Sequence, residues 1–556
     1  MASRHQPARE PEHLTHRQAI FSTTLAALLA AIVLLTLLGH NRLTDWDEGI
    51  YAQISREILT AQPAHLANWL VLHWNTQLWL EKPPLTYWIT ALFFKLFGVS
   101  EFTARLGSAL SGIALLALLH GWLALRRNRL TAWLSTLILL TTFGFLHIAR
   151  VGETDTLLSF GCLLSLIGLA ELLRTPSPRG WYLYWLGFAI ALMSKGAASG
   201  TIFLTLVALL AIDPTLRRRV RKHFFLGLLV FLAFTLPWHL YLLHRFGQTF
   251  IDQYLDLHVL GRVAHQYDGH ITPWWYYLRV LLFSAPPWVL LYPTALYATL
   301  RKPNLRPLRA FALFSLIQIV AFSFVQTRLP HYIAPAYAPL SALTALWLAS
   351  WIQAKSPVVR SERKDAVILS GARSAQPKDP DAVYPAPTPS AFSTHTLLRF
   401  RIQLTLAAIV LWAIAALITT HPRSQLHSPR LPNGTVTPNN HEEVILLKQA
   451  FHNPQPLVAS TPGPLLDFRT GIYNPIPTVI FYANRPVQQV QPQPLALNTP
   501  TDIYTFNPIP LTQAVTTQPR LLLITRSLIP QIPAQYTFQP IATSPTLELG
   551  RISRLP

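Results

Sequence analysis

Asp45, Asp47 and Glu48 fall within four positions of DWDEGIYAQISREIL (45–59), the densest acidic cluster in the chain. Carboxylates so close together suit work on a proton, a cation or a developing positive charge. Asp45 with Glu48 three residues later also matches a capping box, and acids at that end of a helix favour its dipole. That plainer role covers Asp45 and Glu48 and leaves Asp47 less explained. In EKPPLTYW (81–88), Glu81 and Lys82 precede two prolines, which disfavour helix at Lys82 and present its ammonium rigidly. A cation held that way suits a phosphate, although interfacial lysines are common. In RVGETDTLLSF (150–160), Arg150 precedes Glu153 and Asp155, which open an apolar run. Carboxylates near the end of such a run are tolerated, and the helix dipole alone would account for them, Glu153 more readily than Asp155. Lys195 in MSKGAAS adds a cation for which snorkelling is the plainer role. Histidines gather in HVLGRVAHQYDGHITPWWYY (258–277), with His258, Arg262, His265, Asp268 and His270, and again in TRLPHY (327–332), with Arg328, His331 and Tyr332. They could ligate metal or move protons, but no metal-ligand spacing is evident. The single cysteine, Cys162, lies in an apolar run and excludes an internal disulfide.

The elements that must carry these groups read as membrane helices. The 556 residues are 51% hydrophobic and only 12% charged, about half the charge of an ordinary soluble protein. A basic tail (1–18) precedes an apolar run at 19–38, long enough to span and followed by a poor cleavage site, so it reads as an uncleaved first helix. Further runs near 103–125, 130–148, 156–173, 181–194, 197–212, 223–243, 274–298, 307–325, 332–352 and 397–419 predict about eleven spans. The run at 181–194 is short, and 87–98 would add a partial span. With the N-terminus in the cytoplasm, RRNR (126–129), RTPSPR (174–179), RRRVRK (217–222), RKPNLR (301–306) and the stretch 353–396 all fall inside, as the positive-inside rule requires. Every acid and cation named above then falls on the outer face. The net charge of +21 therefore reads as loop charge and not as a nucleic-acid surface.

The expected organisation is a transmembrane core at 19–352, with a first outer loop at 40–102. A flexible insert (353–396), a last transmembrane helix (397–420) and a small α/β domain outside the membrane (421–556) follow it. Ile50, Ile54 and Ile58 recur every four residues, so 46–59 is expected as an amphipathic helix lying along the membrane surface. In the last domain TVIFYA (478–483), DIYTF (502–506) and RLLLITR (520–526) read as strands, and HEEVILLKQAF (441–451) as an amphipathic helix. No P-loop or glycine-rich nucleotide fingerprint occurs.

The combination of DEGIYAQISREI, EKPPLTYWITALFFKLFGVSEFTARL, the TD before a span, MSKG and TRLPHYIAPAYAPL resembles the C-type membrane glycosyltransferases. The similar branch contains the bacterial aminoarabinose transferases and relatives of the protein mannosyltransferases. The resemblance covers roughly residues 15–350 and implies an α-helical polytopic fold of about 11–13 spans. It implies an inverting sugar transfer from a polyprenyl-phosphate carrier to a glycolipid such as lipid A, a glycan or a protein, at the outer face of the inner membrane. By matching motif it implies Asp47 and Asp155 at the reaction centre, supported by Glu48, Tyr51 and Lys195. It puts Lys82, Arg328, His331 and Arg150 at the donor phosphate. Glu81, with His258 or His270, would form a metal or hydrogen-bond site, so a divalent metal stays open. The expected partners are the lipid-linked donor, the acceptor and membrane lipids. Two features depart from the family pattern, an enlarged first outer loop (63–80) and the insert at 353–396. The rival reading is a transporter or lipid flippase without covalent chemistry, which would place charged or broken helices near the midplane in paired repeats.

Overall fold

The computed structural model describes residues 14–44, 47–60, 67–261, 273–354 and, in the C-terminal part, 446–451, 458, 461–468, 477–491, 509–515, 518–544 and 547–555. The expected last span (397–420), the insert beyond Ala354, the 502–506 strand and most of the 258–270 loop lie outside these residues. The rest is a helical bundle with a mixed sheet at one end.

By length and composition, seven of the described helices can cross a membrane, or nine if two bent pairs each count once. The first spans are α1 (His16–Leu35), α5 (Glu101–Arg126), the bent pair α6 (Arg129–Leu140) and α7 (Phe143–Ala149), and α8 (Asp155–Arg174). In the α6–α7 pair, the hydroxyls of Thr141 and Thr142 bond back to the carbonyls of Leu137 and Ile138, where the axis turns by 71°. Side chains that compete for helix carbonyls in this way bend helices. A second pair, Tyr276–Ser284 with Trp288–Arg301, bends by 119°. Helices Lys222–Phe246, Arg309–Phe324 and Tyr337–Ala354 complete the bundle.

The segment Arg179–Ile212 is continuous helix by hydrogen bonding, but it crosses twice. Trp181 Nε1, at its start, donates to the Arg219 carbonyl at 3.0 Å. A straight helix from 181 to 212 would be about 45 Å long, and seven further residues could return at most about 25 Å. The chain therefore reverses at the 3₁₀ turn Gly196–Ser199, between α9 (Arg179–Lys195) and α10 (Gly200–Ile212). Gly196 makes the turn at φ +58°, and a Cβ there would stand 2.8 Å from the Tyr254 hydroxyl. Counted so, ten spans lie within the described residues. Their basic ends gather together: Arg306 binds Asp213 at 2.7 Å, and Arg126 binds Glu171 at 2.9 Å. The runs at 130–148 and 274–298, each expected as a single span, are the two bent pairs.

The α8–α9 hairpin is the tightest contact in the bundle. A Cβ on Gly161 would meet the Gly187 carbonyl at 2.6 Å, and one on Gly168 the Gly180 carbonyl at 2.6 Å. Small residues let these backbones meet, the usual way of packing helices where no hydrophobic driving force separates protein from lipid.

At the other end, α2 (Asp47–Thr60) carries the Ile50, Ile54 and Ile58 stripe, all buried. It does not lie on an open membrane surface. It is enclosed between the short hairpin β1 (Leu72–Trp74) and β2 (Gln77–Trp79), helix α4 (Leu85–Phe97) and the C-terminal domain. Arg56 donates to the Phe481 carbonyl at 2.6 Å, and Asn75 exchanges two hydrogen bonds with Val487. Helix α4 (13 residues) packs beside α2 at this end of the bundle.

That domain is a six-stranded sheet: β3 (Leu465–Phe468), β4 (Val487–Gln491), β5 (Ile509–Pro510), β6 (Arg520–Thr525), β7 (Tyr536–Thr543) and β8 (Leu547–Arg554), in the order β5-β4-β3-β6-β8-β7. β5, β4, β3 and β6 run parallel, and the β7–β8 hairpin closes the edge antiparallel. The expected strand at 520–526 is β6, and 446–451 is helical as expected. The expected strand at 478–483 is instead the helix Pro477–Ala483. Its apolar run is buried against α2 as well as the sheet, and a run buried on several faces carries no period that separates helix from strand. Pro477 at the first helical position is the signal that favoured helix.

Candidate functional site

The cavity lies where α2, α4, α8, α9 and α10 meet helix Arg309–Phe324 and the 3₁₀ turn Pro330–Ala336, at the end of the bundle away from the basic loops. Its volume is about 480 Å³. Asp47, Glu81, Lys82, Asp155, Lys195 and His331 line one part, and Leu158, Phe203, Leu204, Ala321, Phe322 and Val325 line another. The apolar part runs between α10 and helix Arg309–Phe324, whose outer faces carry Phe203, Leu204, Val320 and Phe324 exposed. Thr201 ties these two helices through Gln318 at 2.6 Å, and Gln318 in turn holds the Tyr332 carbonyl at 2.7 Å. The cavity thus joins a charged pocket to a greasy groove facing the membrane.

Asp47 is the first residue of α2. Its Oδ1 accepts from the Tyr51 hydroxyl at 2.8 Å and lies 3.5 Å from Lys82 Nζ. The ammonium also donates to the Tyr51 oxygen and stands 4.6 Å over the Tyr51 ring. Burial would push the Asp47 carboxyl up. Lys82, then His331 and Lys195, outweigh that and hold it well below the usual carboxylate range. Burial and then Asp47 raise the Tyr51 phenol well above its ordinary value, so it stays a donor. Lys82 and Glu81 sit outside helix, just before α4, as the two prolines require.

Asp155 opens α8, and its Oδ2 pairs with Lys195 Nζ at 2.5 Å. Both side chains are almost fully buried, and the ammonium lies 5.2 Å from the Tyr332 ring centre. The other oxygen, Oδ1, is buried with no hydrogen-bond partner among the described residues. Glu153, Asp155 and His331 each offer a ligand atom, and these three atoms lie within 4.8 Å of one another. Asp47 with Lys82 and Asp155 with Lys195 balance in charge, and Glu153, which belongs to neither pair, is a surplus acid beside them. Burial, then Asp47 and Asp155, push its carboxyl well above the usual range. Two carboxylates and an imidazole gathered this closely fit either a divalent cation or a shared proton.

Glu48 fastens the two halves together without lining the cavity. Its carboxylate takes Arg105 Nε at 2.7 Å, the Gly152 amide at 2.8 Å and the Thr44 amide at 2.7 Å. Burial would raise it, but Arg105 and these bonds hold it below its ordinary value. Arg105 also caps the end of the first span through the carbonyls of Leu38, Asn41 and Arg42. The start of α2, which carries Asp47, is thereby locked to the 150–154 turn that carries Glu153 and leads into Asp155.

Of the residues expected at the site, the structure brings together Asp47, Tyr51, Glu81, Lys82, Asp155, Lys195 and His331. Arg150, expected at the phosphate, does not line the cavity: it donates to the carbonyls of Val33, Leu34 and Thr36 and closes the end of α1. Arg328 is buried beside the 3₁₀ turn, with Nε donating to Ser323 at 3.1 Å, and is not among the lining residues. His270 and the His258 side chain lie outside the described residues. Sequence reading set Glu153 aside as a dipole acid and passed over Arg105 and Tyr254. An arginine inside an apolar run, as in EFTARLGSAL, was the available signal for Arg105.

A family model described as dolichyl-phosphate-mannose-protein mannosyltransferase matches residues 81–241. The chain is 32% identical over 334 residues to an undecaprenyl phosphate-alpha-4-amino-4-deoxy-L-arabinose arabinosyl transferase of Erwinia tasmaniensis, and 30% identical over 349 residues to that of Pectobacterium atrosepticum. These alignments span 58% and 61% of this chain and 58% and 60% of those relatives. Among solved structures, ArnT from Cupriavidus metallidurans bound to undecaprenyl phosphate superposes with a TM-score of 0.70 at 19% identity, over 95% of this chain and 97% of that one. The oligosaccharyltransferase of Archaeoglobus fulgidus superposes with a TM-score of 0.53 at 13% identity, over 84% of this chain and 64% of that one. The chain therefore shares the C-type glycosyltransferase fold of these structures and is similar in sequence, over part of its length, to the aminoarabinose transferases.

Proposed function

We propose that this protein transfers a sugar from a polyprenyl phosphate carrier to an acceptor at the outer face of the cytoplasmic membrane. The observation that carries the reading is the cavity itself, with two carboxylate–ammonium pairs at one end, Asp155–Lys195 buried and Asp47–Lys82 partly buried, and an apolar groove open to the bilayer at the other. A single-phosphate lipid carrier needs both environments at once. The basic loops at the opposite end support a cytoplasmic position for that end, with the cavity and the sheet domain on the outer side.

In this reading Lys82 and Lys195 face the carrier phosphate. As the bond from the sugar anomeric carbon to the phosphate oxygen breaks, negative charge grows on that phosphate. Ammonium groups already fixed by Asp47, Tyr51 and Asp155 stabilise it without reorganising. The new bond forms from the acceptor oxygen to the anomeric carbon on the opposite side, which inverts the configuration. A hydroxyl acceptor would pass its proton to Asp47; a phosphate acceptor needs no base, and Asp47 would then orient it. If Glu153, Asp155 and His331 bind a divalent cation, it adds positive charge facing the same phosphate. Carrier lipids bearing 4-amino-4-deoxy-L-arabinose, the sugar in the relatives' names, are the first donor to test, with lipid A as the first acceptor.

The test is release of radiolabelled sugar from undecaprenyl phosphate donor by the purified full chain. Asp47→Asn should keep donor binding and lose turnover. Turnover equal to wild type in that variant would refute the assignment.

A further inference from the structure

A second cavity, of about 380 Å³, lies at the basic end of the bundle, far from the site described above. It opens between the α5–α6 turn, the end of helix Tyr292–Arg301 and the end of helix Tyr337–Ala354. Arg126, Arg127 and Lys302 line its rim, and Leu343, Leu346 and Trp347 line its wall. No acid is among its lining residues.

The three cations differ. Arg126 is neutralised by Glu171 through two hydrogen bonds of 2.9 Å. The Arg127 guanidinium and the Lys302 ammonium make no hydrogen bond or ion pair among the described residues. Arg127 is partly buried, and burial and then the neighbouring Arg174 lower its pKa, as expected for a cation short of a counter-charge. Arginine matches the oxygens of a phosphate through its planar fork. A basic rim above an apolar wall between spans matches a phospholipid, with its phosphate at the rim and its chains along the helices. The following segment of this chain (355–396) holds six basic residues and four acidic ones, a net of +2, so its charge does not suit it as the occupant.

We propose that this cavity binds the head group of an anionic phospholipid, with Arg127 and Lys302 as its phosphate contacts. The site is separate from the donor cavity and has no part in the transfer step. It would make the loaded protein depend on lipid composition at the membrane face opposite the reaction.

The test uses the full chain in detergent, with native mass spectrometry and intrinsic fluorescence, titrated with phosphatidylglycerol, phosphatidylcholine or inorganic phosphate. The wild type should retain phosphatidylglycerol in preference to phosphatidylcholine. Arg127→Gln should weaken that binding about fivefold, and the double change with Lys302→Gln about thirtyfold, at one cation's worth of surface attraction each. Arg127→Lys should keep most of it, which separates charge from folding. Equal binding of the two lipids, or unchanged binding in the double variant that elutes as a monodisperse peak, would show annular lipid only and overturn the proposal. Saturation by millimolar inorganic phosphate with no preference for lipid would overturn it as well, in favour of a free-anion site.

Discussion

Replacing Asp155 with Asn and Lys195 with Met, singly and together, separates what this pair does for the fold from what it does for the reaction. The two side chains are 2% and 9% exposed and 2.5 Å apart, and the second oxygen of Asp155 has no hydrogen-bond partner among the described residues. Removing one member of such a buried pair costs about 3–5 kcal/mol, because the survivor is left as an uncompensated charge. In Lys195→Met the penalty should fall at the upper end, since Glu153 crowds the same carboxylate. In Asp155→Asn the stranded ammonium keeps the Tyr332 ring as a weak partner, so the cost should fall at the lower end. The double variant has no stranded charge, and its loss should be less than the sum of the singles by about 3 kcal/mol. Stability would be read from reversible detergent-denaturant unfolding, and turnover from radiolabelled donor. Turnover should fall about 10²–10³-fold in Lys195→Met and stay low in the double variant, because a charge facing the departing phosphate is gone in both. Additive stability losses would refute the energetic coupling. A double variant that recovers both stability and turnover would show that the pair only holds the fold.

Four further outcomes follow from the same geometry. Because Lys82 holds Asp47 below the usual carboxylate range, its ionised form persists through mildly acidic pH; its stabilising contribution is complete above the unfolded value of about 3.9 and is lost only below it. Lys82→Gln removes the main lowering influence, so an acid limb should enter the pH–rate profile at higher pH than in wild type; an unshifted profile would contradict the pairing. Glu48→Gln should destabilise by about 3–5 kcal/mol in denaturant titration, by stranding Arg105, while Arg105→Met should do the same from the other side. Gly196→Ala should cost about 1–3 kcal/mol from backbone strain and displace Tyr254, measurable as reduced thermal stability and a shifted Tyr254 solvent-exchange or fluorescence signal. Tyr51→Phe should lower turnover about tenfold with little change in stability, since the hydroxyl links Asp47 to Lys82 yet makes no other hydrogen bond among the described residues.

Much of this protein was written locally. Apolar length and loop charge gave the alternation of spans, including the reversal between α9 and α10, because the bilayer imposes its thickness and charge rule on each segment in turn. The Ile50–Ile54–Ile58 stripe gave α2, and the EKPP and ETD stretches gave most of the charged groups that line the cavity. Tertiary structure decided the rest. Arg150 and Arg105 have the same charge and both precede or enter apolar runs, yet one seals a helix end and the other grips Glu48 across 57 positions. TVIFYA became helix because it is buried between α2 and a sheet whose partners lie far along the chain. Glu153 became the surplus acid only once Asp47 had been brought beside Asp155. A chain can specify which groups lie near one membrane face by local composition alone. Which of them meet, and which charges are left over, depends on contacts between segments tens to hundreds of residues apart, and those are fixed only when the helices pack.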